Sequence, residues 1–311
     1  MTNLKNPAAS RRRAACAVPP VASVNPLLLE EAGNRCPLCF APKPFVVLAS
    51  IARNLMKCSN CSVAYLDPRP AKRDLFELFA NEYITRNEDV EVRFGTRVEK
   101  SNKQVARFIN DRKARGRILD IGCAGGYFLD QYFQASAWEK WGVELSRFAA
   151  ARATAKAIQV HVGDIHSADL PCASFDVVTV LDTFYYFSEP LRELDAIRRI
   201  LKPSGLLVIV MPNADIHIWR NTGWISKVFS ESRTALLEST HLFFYNPKSI
   251  MSILDGSRFR VRSLRPLCGL GQSSLLQNGL AIGYSALSAA AWHLSRGRLM
   301  LGPRFLVAAT P

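Results

Sequence analysis

Acidic residues are in short supply in this chain: 26 Asp and Glu stand against 40 Lys and Arg over 311 residues, a formal net charge of +14. That imbalance raises nucleic acid, an anionic membrane or an acidic substrate as partners. The basic residues are scattered, however, with short concentrations at Arg11 to Arg13, Arg112 to Arg117, Arg198 to Lys202 and Arg258 to Arg265. Arg258, Arg260 and Arg262 alternate as the solvent face of a strand would, which argues against one dedicated nucleic-acid surface. Long apolar runs are also missing. The most apolar stretch, Leu275 to Leu294, is broken by Gln277, Asn278 and His293, so its uninterrupted part is shorter than a membrane span requires. Leu276, Leu280, Tyr284, Leu287, Ala291 and Leu294 follow helical spacing there. The stretch predicts an amphipathic helix on the core or over a functional site, with peripheral membrane contact through 275–295 as the alternative. No apolar segment follows the arginines near the start, because Pro19 and Pro20 interrupt it, so a secretory leader is not expected and a cytoplasmic protein is. Residues 1–32 read as a flexible basic tail. Internal repeats are absent, and the composition is that of an ordinary globular chain.

Cysteine, by contrast, is patterned. Four of the eight stand as Cys36-Pro-Leu-Cys39 and Cys58-Ser-Asn-Cys61, two CxxC pairs separated by eighteen residues. This spacing is that of a tetrahedral zinc site in which each CxxC forms a tight knuckle and supplies two thiolates. Disulfide pairing is the alternative, but Cys16, Cys123, Cys172 and Cys268 are scattered, which suits a reducing compartment. With four thiolates as ligands no coordination position stays open, so the expected zinc is structural. Residues 33–70 would form the ribbon around it, and 71–116 a helical linker or lid.

The most informative stretch follows, at Arg117-Ile-Leu-Asp120-Ile-Gly122-Cys123-Ala124-Gly125-Gly126-Tyr127-Phe-Leu129. It contains an apolar strand, an acid at its end, a small-residue turn and an amphipathic restart of helical type. Small residues let a ligand lie against bare backbone, whose N–H groups at the helix start are expected to be free to meet it. The nicotinamide-type turn reads GxGxxG and keeps its acid about twenty residues further on. Here Tyr127 occupies the place of the third glycine, and Asp120 stands directly before the turn. Trp138 to Val143 reads as the second strand and Glu144 closes it, so a carboxylate able to accept two ribose hydroxyls stands at the strand end; an exposed surface glutamate is the alternative. Gln159 to Val162 is a short third strand followed by Gly163-Asp164-Ile165, and Phe175 to Leu181 is a nearly all-apolar fourth. Leu191 to Leu201 is a helix, Lys202-Pro-Ser-Gly205 a turn, and Leu206 to Met211 a fifth strand.

The turn resembles motif I of class I S-adenosylmethionine (SAM) dependent methyltransferases, LDIGCGxGxF, with Ala124 in place of the middle glycine. The resemblance continues through Gly163-Asp164 to Leu170-Pro171, Phe175-Asp-Val-Val178, Lys202-Pro-Ser-Gly205 and Thr240 to Pro247, the last similar to methyltransferases of ubiquinone-biosynthesis type. It implies an α/β fold: a Rossmann-like seven-stranded sheet with helices on both faces, here carrying an added N-terminal four-cysteine zinc ribbon. The last strand, Arg304 to Ala309, would run antiparallel beside the sixth, Phe259 to Leu264. The SAM domain would span 117–311, with helical insertions at about 214–240 and 270–298. The cofactor-binding residues implied are Asp120, Gly122, Cys123, Ala124, Gly126, Glu144, Leu145, Asp164, Ile165, Leu181 and Asp182. Asp164 would receive the adenine amino group and Ile165 would pack on the ring.

For chemistry the resemblance implies transfer of a methyl group to a small-molecule or sugar acceptor, with an oxygen nucleophile and an in-line displacement that gains from positioning and exclusion of water. Asp182 to Phe187 supplies a largely aromatic wall. Many small-molecule relatives carry Glu-His where this chain has Tyr185-Tyr186, so the base is sought elsewhere. His241 is the candidate, a loop-bridging histidine the alternative, and Tyr186 the second candidate. His217 and Trp219 would line the acceptor pocket. Two other readings stay open. One is RNA methylation using the ribbon and basic charge, although one ribosomal-RNA group with a zinc module has Cys and His where this chain has Cys58 and Cys61. The other is a non-catalytic, membrane-associated binding module.

Overall fold

The computed structural model describes residues 29–30, 33–81, 88–222, 234–237, 239–267, 275–295 and 299–311. Most of the expected 1–32 tail and the middle of the insertion expected at 214–240 lie outside these residues. Along the chain come β1 Leu29–Glu30, β2 Phe45–Leu48, β3 Asn54–Lys57, β4 Ala64–Asp67, β5 Arg69–Pro70, α1 Lys72–Asn81 and α2 Glu88–Asn110. The central part follows as β6 Gly116–Ile121, α3 Tyr127–Tyr132, β7 Trp138–Glu144, α4 Arg147–Thr154, β8 Gln159–Val162, β9 Phe175–Leu181, α5 Pro190–Ile200 and β10 Leu201–Pro212. The remainder is α6 Ala214–Asn221, α7 Thr234–Leu237, β11 Phe243–Phe244, α8 Pro247–Gly256, β12 Arg260–Leu267, α9 Leu275–Leu294 and β13 Arg304–Thr310.

Seven strands make one sheet in the order β12-β13-β10-β9-β6-β7-β8, parallel except that β13 runs antiparallel between β10 and β12. Residue alternation assigns the two faces. Leu119, Ile121, Val178, Val180 and Ile209 pack on one side, whereas Ile118, Val177, Val208 and Leu306 pack on the other against Val105 and Ile109 of α2. Each such fully buried side chain contributes about 1.5–3 kcal/mol of transfer free energy. The expected doubly covered sheet and its antiparallel last pair are therefore present.

Local differences have local causes. The turn expected at Lys202 to Gly205 is a bulge inside β10, where pairing jumps from Leu201–Phe175 to Leu206–Val177. The sixth strand lies at Arg260–Leu267 instead of Phe259 to Leu264. Helix α9 forms as expected but packs on β12, and Tyr284 donates its hydroxyl to the Leu301 carbonyl. It does not lie over the cavity described below, and Leu287 and Leu294 are 70% and 86% exposed. Among the described residues no helix is long and apolar enough to cross a membrane.

The cysteine-bearing segment is built into the same core. Strands β2, β3 and β4 form an antiparallel ribbon completed by β11, which arrives from the far half of the chain and pairs Phe243 with Tyr65 and Phe244 with Ala64. Cys36, Leu38, Cys58, Cys61, Val63 and Tyr65 bury themselves in the same cluster as Val180 and Ile209 of the central sheet.

Candidate active site

At the carboxyl ends of β6, β7, β8 and β9 lies a cavity of about 420 Å3. This is the crevice where chains of this topology receive ligands, because successive strands there diverge to opposite sides. Among the described residues four carboxyl side chains line it, Glu144, Asp164, Asp182 and Glu193, together with the Lys72 ammonium.

The turn after β6 forms its floor. Gly122 has φ 76°, and a Cβ there would sit 2.4 Å from Thr183 Oγ1, so glycine is required twice over, by conformation and by space. Ala124 takes a positive φ of 47° and faces the cavity with Gly122. The expectation that the turn's N–H groups stand free is corrected. Gly122 and Cys123 donate to the Val143 carbonyl, Gly126 to that of Cys123, and Ala124 to the Glu144 carboxylate at 2.9 Å. Glu144 also accepts from Ser146 N–H at 2.8 Å. Its carboxylate thus joins the turn after β6 to the end of β7 while lining the cavity.

Asp120 is 4% exposed and lies within the sheet, off the cavity wall, where Thr179 donates to it at 2.6 Å. Burial pushes its pKa up to about 7, with the Glu144 charge adding and the Thr179 hydrogen bond opposing. Cys123 and Gly126 also stand behind the wall. The Cys123 sulfur fills the space over Gly142, and Gly126 packs against Ile158 and Ala153. These three residues shape the turn from below, whereas Gly122, Ala124, Glu144, Leu145, Asp164, Ile165, Leu181 and Asp182 reach the cavity.

Asp164 accepts from the backbone N–H groups of His166 and Ser167. Burial raises its pKa, but these hydrogen bonds outweigh burial and hold it below the ordinary value. Asp182 sits at φ 53° and accepts from Arg304 Nη2 at 2.6 Å; its other carboxylate oxygen is buried without a partner among the described residues.

At the opposite end, Tyr185, Tyr186 and Phe187 form a wall with Phe76 and Phe79 of α1. The Tyr186 and Phe79 rings meet at 4.7 Å. His241 completes it, with ring centroids 4.1 Å from Tyr185, 5.2 Å from Tyr186 and 5.6 Å from Phe244. The imidazole therefore lies where a base was expected, but not with the expected acidity. Burial pushes its pKa down to about 3, His217 adding to the effect, so the ring is neutral. His217 stays off the cavity wall, and Trp219 is 56% exposed, which corrects their expected pocket-lining role.

Sequence reasoning missed the α1 residues Lys72, Leu75, Phe76 and Phe79, and it missed Glu193. The Glu193 signal was available: with Ile197 and Ile200 it occupies the buried stripe of α5, an acid on an apolar face.

The four cysteine sulfurs lie within 4.8 Å of one another, with Cys36–Cys61 at 3.8 Å and Cys39–Cys58 at 3.6 Å. Tetrahedral Zn–S bonds of about 2.3 Å require S–S edges of about 3.8 Å. The donor set fits zinc in kind and in spacing.

A family model described as "Methyltransferase domain" matches residues 94–264. A 37.1 kDa protein in transposon Tn4556 of Streptomyces fradiae is 26% identical over 194 residues, covering 60% of this chain and 52% of that protein. A tRNA U34 carboxymethyltransferase of Idiomarina loihiensis is 27% identical over 118 residues, covering 34% of this chain and 36% of that protein. The matches thus span about half of the first relative and about a third of the second. A solved SAM-dependent methyltransferase of Thermotoga maritima, described as a possible histamine N-methyltransferase, has a TM-score of 0.50 at 16% identity, covering 76% of this chain and 99% of that one. That likeness is one of fold. With the sheet order, the turn after β6 and a family match over more than half its length, the chain belongs to the methyltransferase domain family and shares the fold of a solved SAM-dependent methyltransferase.

Proposed function

We propose that the acceptor is a small molecule, methylated on oxygen inside the cavity. The observation that carries this reading is the wall of Phe76, Phe79, Tyr185, Tyr186, Phe187 and His241 around the end away from Asp164. Lys72 and Phe79 are seven residues apart on α1, so about 10 Å of helix separates the two ends. Lys72 is bound to Glu189 at 2.7 Å, near Asp164 and Glu193. Among the described residues the cation on the cavity wall is Lys72, already bound to Glu189, so a phosphate-bearing acceptor beside Phe79 would meet mainly aromatic rings and carboxylates, an unfavourable exchange for its water shell.

The donor assignments follow the same reading. Glu144 holds the ribose hydroxyls, Asp164 accepts the adenine amino group, Ile165 packs on the ring, and Asp182 faces the positive charge of the methionine part. SAM, when bound, supplies a sulfonium methyl for one in-line displacement. The aromatic wall orients the acceptor and excludes water, and neutral His241 would accept a hydrogen bond from the attacking hydroxyl. The C–S bond would break to leave a neutral thioether, while the hydroxyl proton leaves to solvent with the products. The four thiolates hold a structural zinc that keeps the ribbon, residues 33–70, against the SAM domain, 117–311, while α1 within 71–116 covers the cavity as a lid.

Transfer of labelled methyl from SAM into a fractionated lysate tests the reading. Label is expected in small molecules or unphosphorylated glycans. Label entering RNA, with binding that weakens steeply with salt, would favour the relation to the tRNA enzyme and overturn it.

A further inference from the structure

Glu193 is a buried carboxyl that the donor assignments above leave without a task. It is 6% exposed, yet it lines the cavity. One carboxyl oxygen, Oε2, lies 2.9 Å from His166 Nε2, but the two are not aligned as a hydrogen bond, and each is buried with no hydrogen-bond partner among the described residues. The nearby cations are engaged elsewhere: Lys72 and Arg192 both bind Glu189, at 2.7 Å and 3.3 Å. A buried polar group in a ligand cavity with no partner calls for one.

Its surroundings say which partner. His166 is two residues beyond Asp164, whose carboxylate is fixed by the backbone of His166 and Ser167. Glu193 therefore stands beside Asp164, at the Lys72 end of the cavity and away from the aromatic wall. An adenine edge presents donor and acceptor side by side, an exocyclic N–H2 next to ring nitrogens. Asp164 offers an acceptor for the first. We infer that Glu193 offers the matching donor: its carboxyl, unpartnered beside Asp164, gives an O–H to a ring nitrogen, so that the pair reads adenine. This rests on the reading that places adenine at Asp164. The charge states agree with it. Burial, then the Asp164 charge, pushes Glu193 up to about 7, and burial, then Arg192, holds His166 below its ordinary value. An uncharged carboxyl is the donor required.

Calorimetry with S-adenosylhomocysteine and its hypoxanthine counterpart, S-inosylhomocysteine, tests the inference. Hypoxanthine replaces the amino donor with an acceptor and the ring acceptor with a donor, so the wild-type protein should prefer adenine by roughly 100-fold or more. Glu193→Leu should lose at least about tenfold of that preference, whereas Glu193→Gln, which still donates through its amide, should keep most of it. A Glu193→Leu protein with undiminished preference overturns the inference. Failure of the wild-type protein to bind either compound instead overturns the SAM site assignment itself. Should Glu193→Leu not fold, Glu193→Gln decides. The charged and titratable groups around position 193 are Asp164, His166, Lys72, Glu189 and Arg192, all retained in that variant. Its affinity relative to wild type should therefore rise from about pH 6 to about pH 9, as the wild-type donor ionises and the amide does not. A constant ratio overturns the inference.

Discussion

The backbone N–H of Leu242 donates to the carbonyl of Tyr185 at 3.0 Å. Through this bond the segment that carries His241 and β11 is fastened to the aromatic wall after β9. Strand β11 is in turn held by β4, which follows Cys58 and Cys61 directly. The four-cysteine cluster and the aromatic wall are thus two ends of one hydrogen-bonded path, while the turn after β6 and Glu144 lie off it.

Metal removal should therefore separate donor binding from transfer. Zinc extraction, or Cys58→Ser, is expected to lower the melting temperature and to abolish most methyl transfer, while SAM affinity of the remaining folded protein changes by no more than about threefold. Metal content, melting temperature and calorimetry with SAM check this. Equal loss of SAM binding and transfer would show that the ribbon supports the whole domain evenly.

Glu144 has a double task, and its two effects differ in kind. Glu144→Ala removes the partner of Ala124 N–H and Ser146 N–H, a loss of about 1–3 kcal/mol where those groups stay dry. It also removes the proposed ribose contact, so SAM affinity should fall by about tenfold or more. Glu144→Gln keeps one acceptor oxygen but turns an N–H2 toward one of the two donors, and should fall between. Thermal denaturation with and without SAM separates the effects: a variant destabilised without ligand yet equally shifted by SAM would confine Glu144 to the turn.

Asp120 links stability to pH. Its carboxyl pKa rises from the ordinary 3.8 to about 7 on folding, mainly through burial. The folded chain thus holds the proton more tightly than the unfolded one. The stabilising contribution is complete below about pH 4 and is lost as pH rises through about 7. Asp120→Asn keeps an acceptor for Thr179 and removes the ionisation. Its gain in melting temperature over wild type should grow between about pH 4 and about pH 7 and then level off. The same variant should bind SAM more weakly, since a cationic ligand favours the ionised acid. A pH-independent difference would place Asp120 outside this linkage.

Much of the fold was legible in the chain. Period and apolar runs located the strands, and Asp120 directly before the turn with Tyr127 in the place of the third glycine distinguished this turn from a nicotinamide turn. Bond direction was not legible. Nothing local shows that Ala124 spends its N–H on Glu144, since that depends on how β6 and β7 stand in register. Nor does Phe243-Phe244 announce itself as a ribbon strand, because its partner is Tyr65, far away in the chain. His241 lies on the cavity wall, but its acidity was not legible, because burial and then His217 hold its pKa down and both depend on the fold.

That environment gives a sharp expectation for catalysis. With a pKa of about 3, His241 carries no proton to release or regain between about pH 5 and about pH 9. The profile of kcat should have no limb arising from it. As a neutral acceptor that aligns the attacking hydroxyl, it should be replaceable by Gln with a loss of only a few-fold in kcat. His241→Phe fills the space but cannot accept, and kcat should fall by about 10- to 100-fold while the KM for SAM stays unchanged. A wild-type limb near pH 6.5 that disappears in His241→Gln would instead identify a titrating base. In that case the bound acceptor must change the surroundings of the imidazole, which among the described residues include Tyr185, Tyr186 and Phe244.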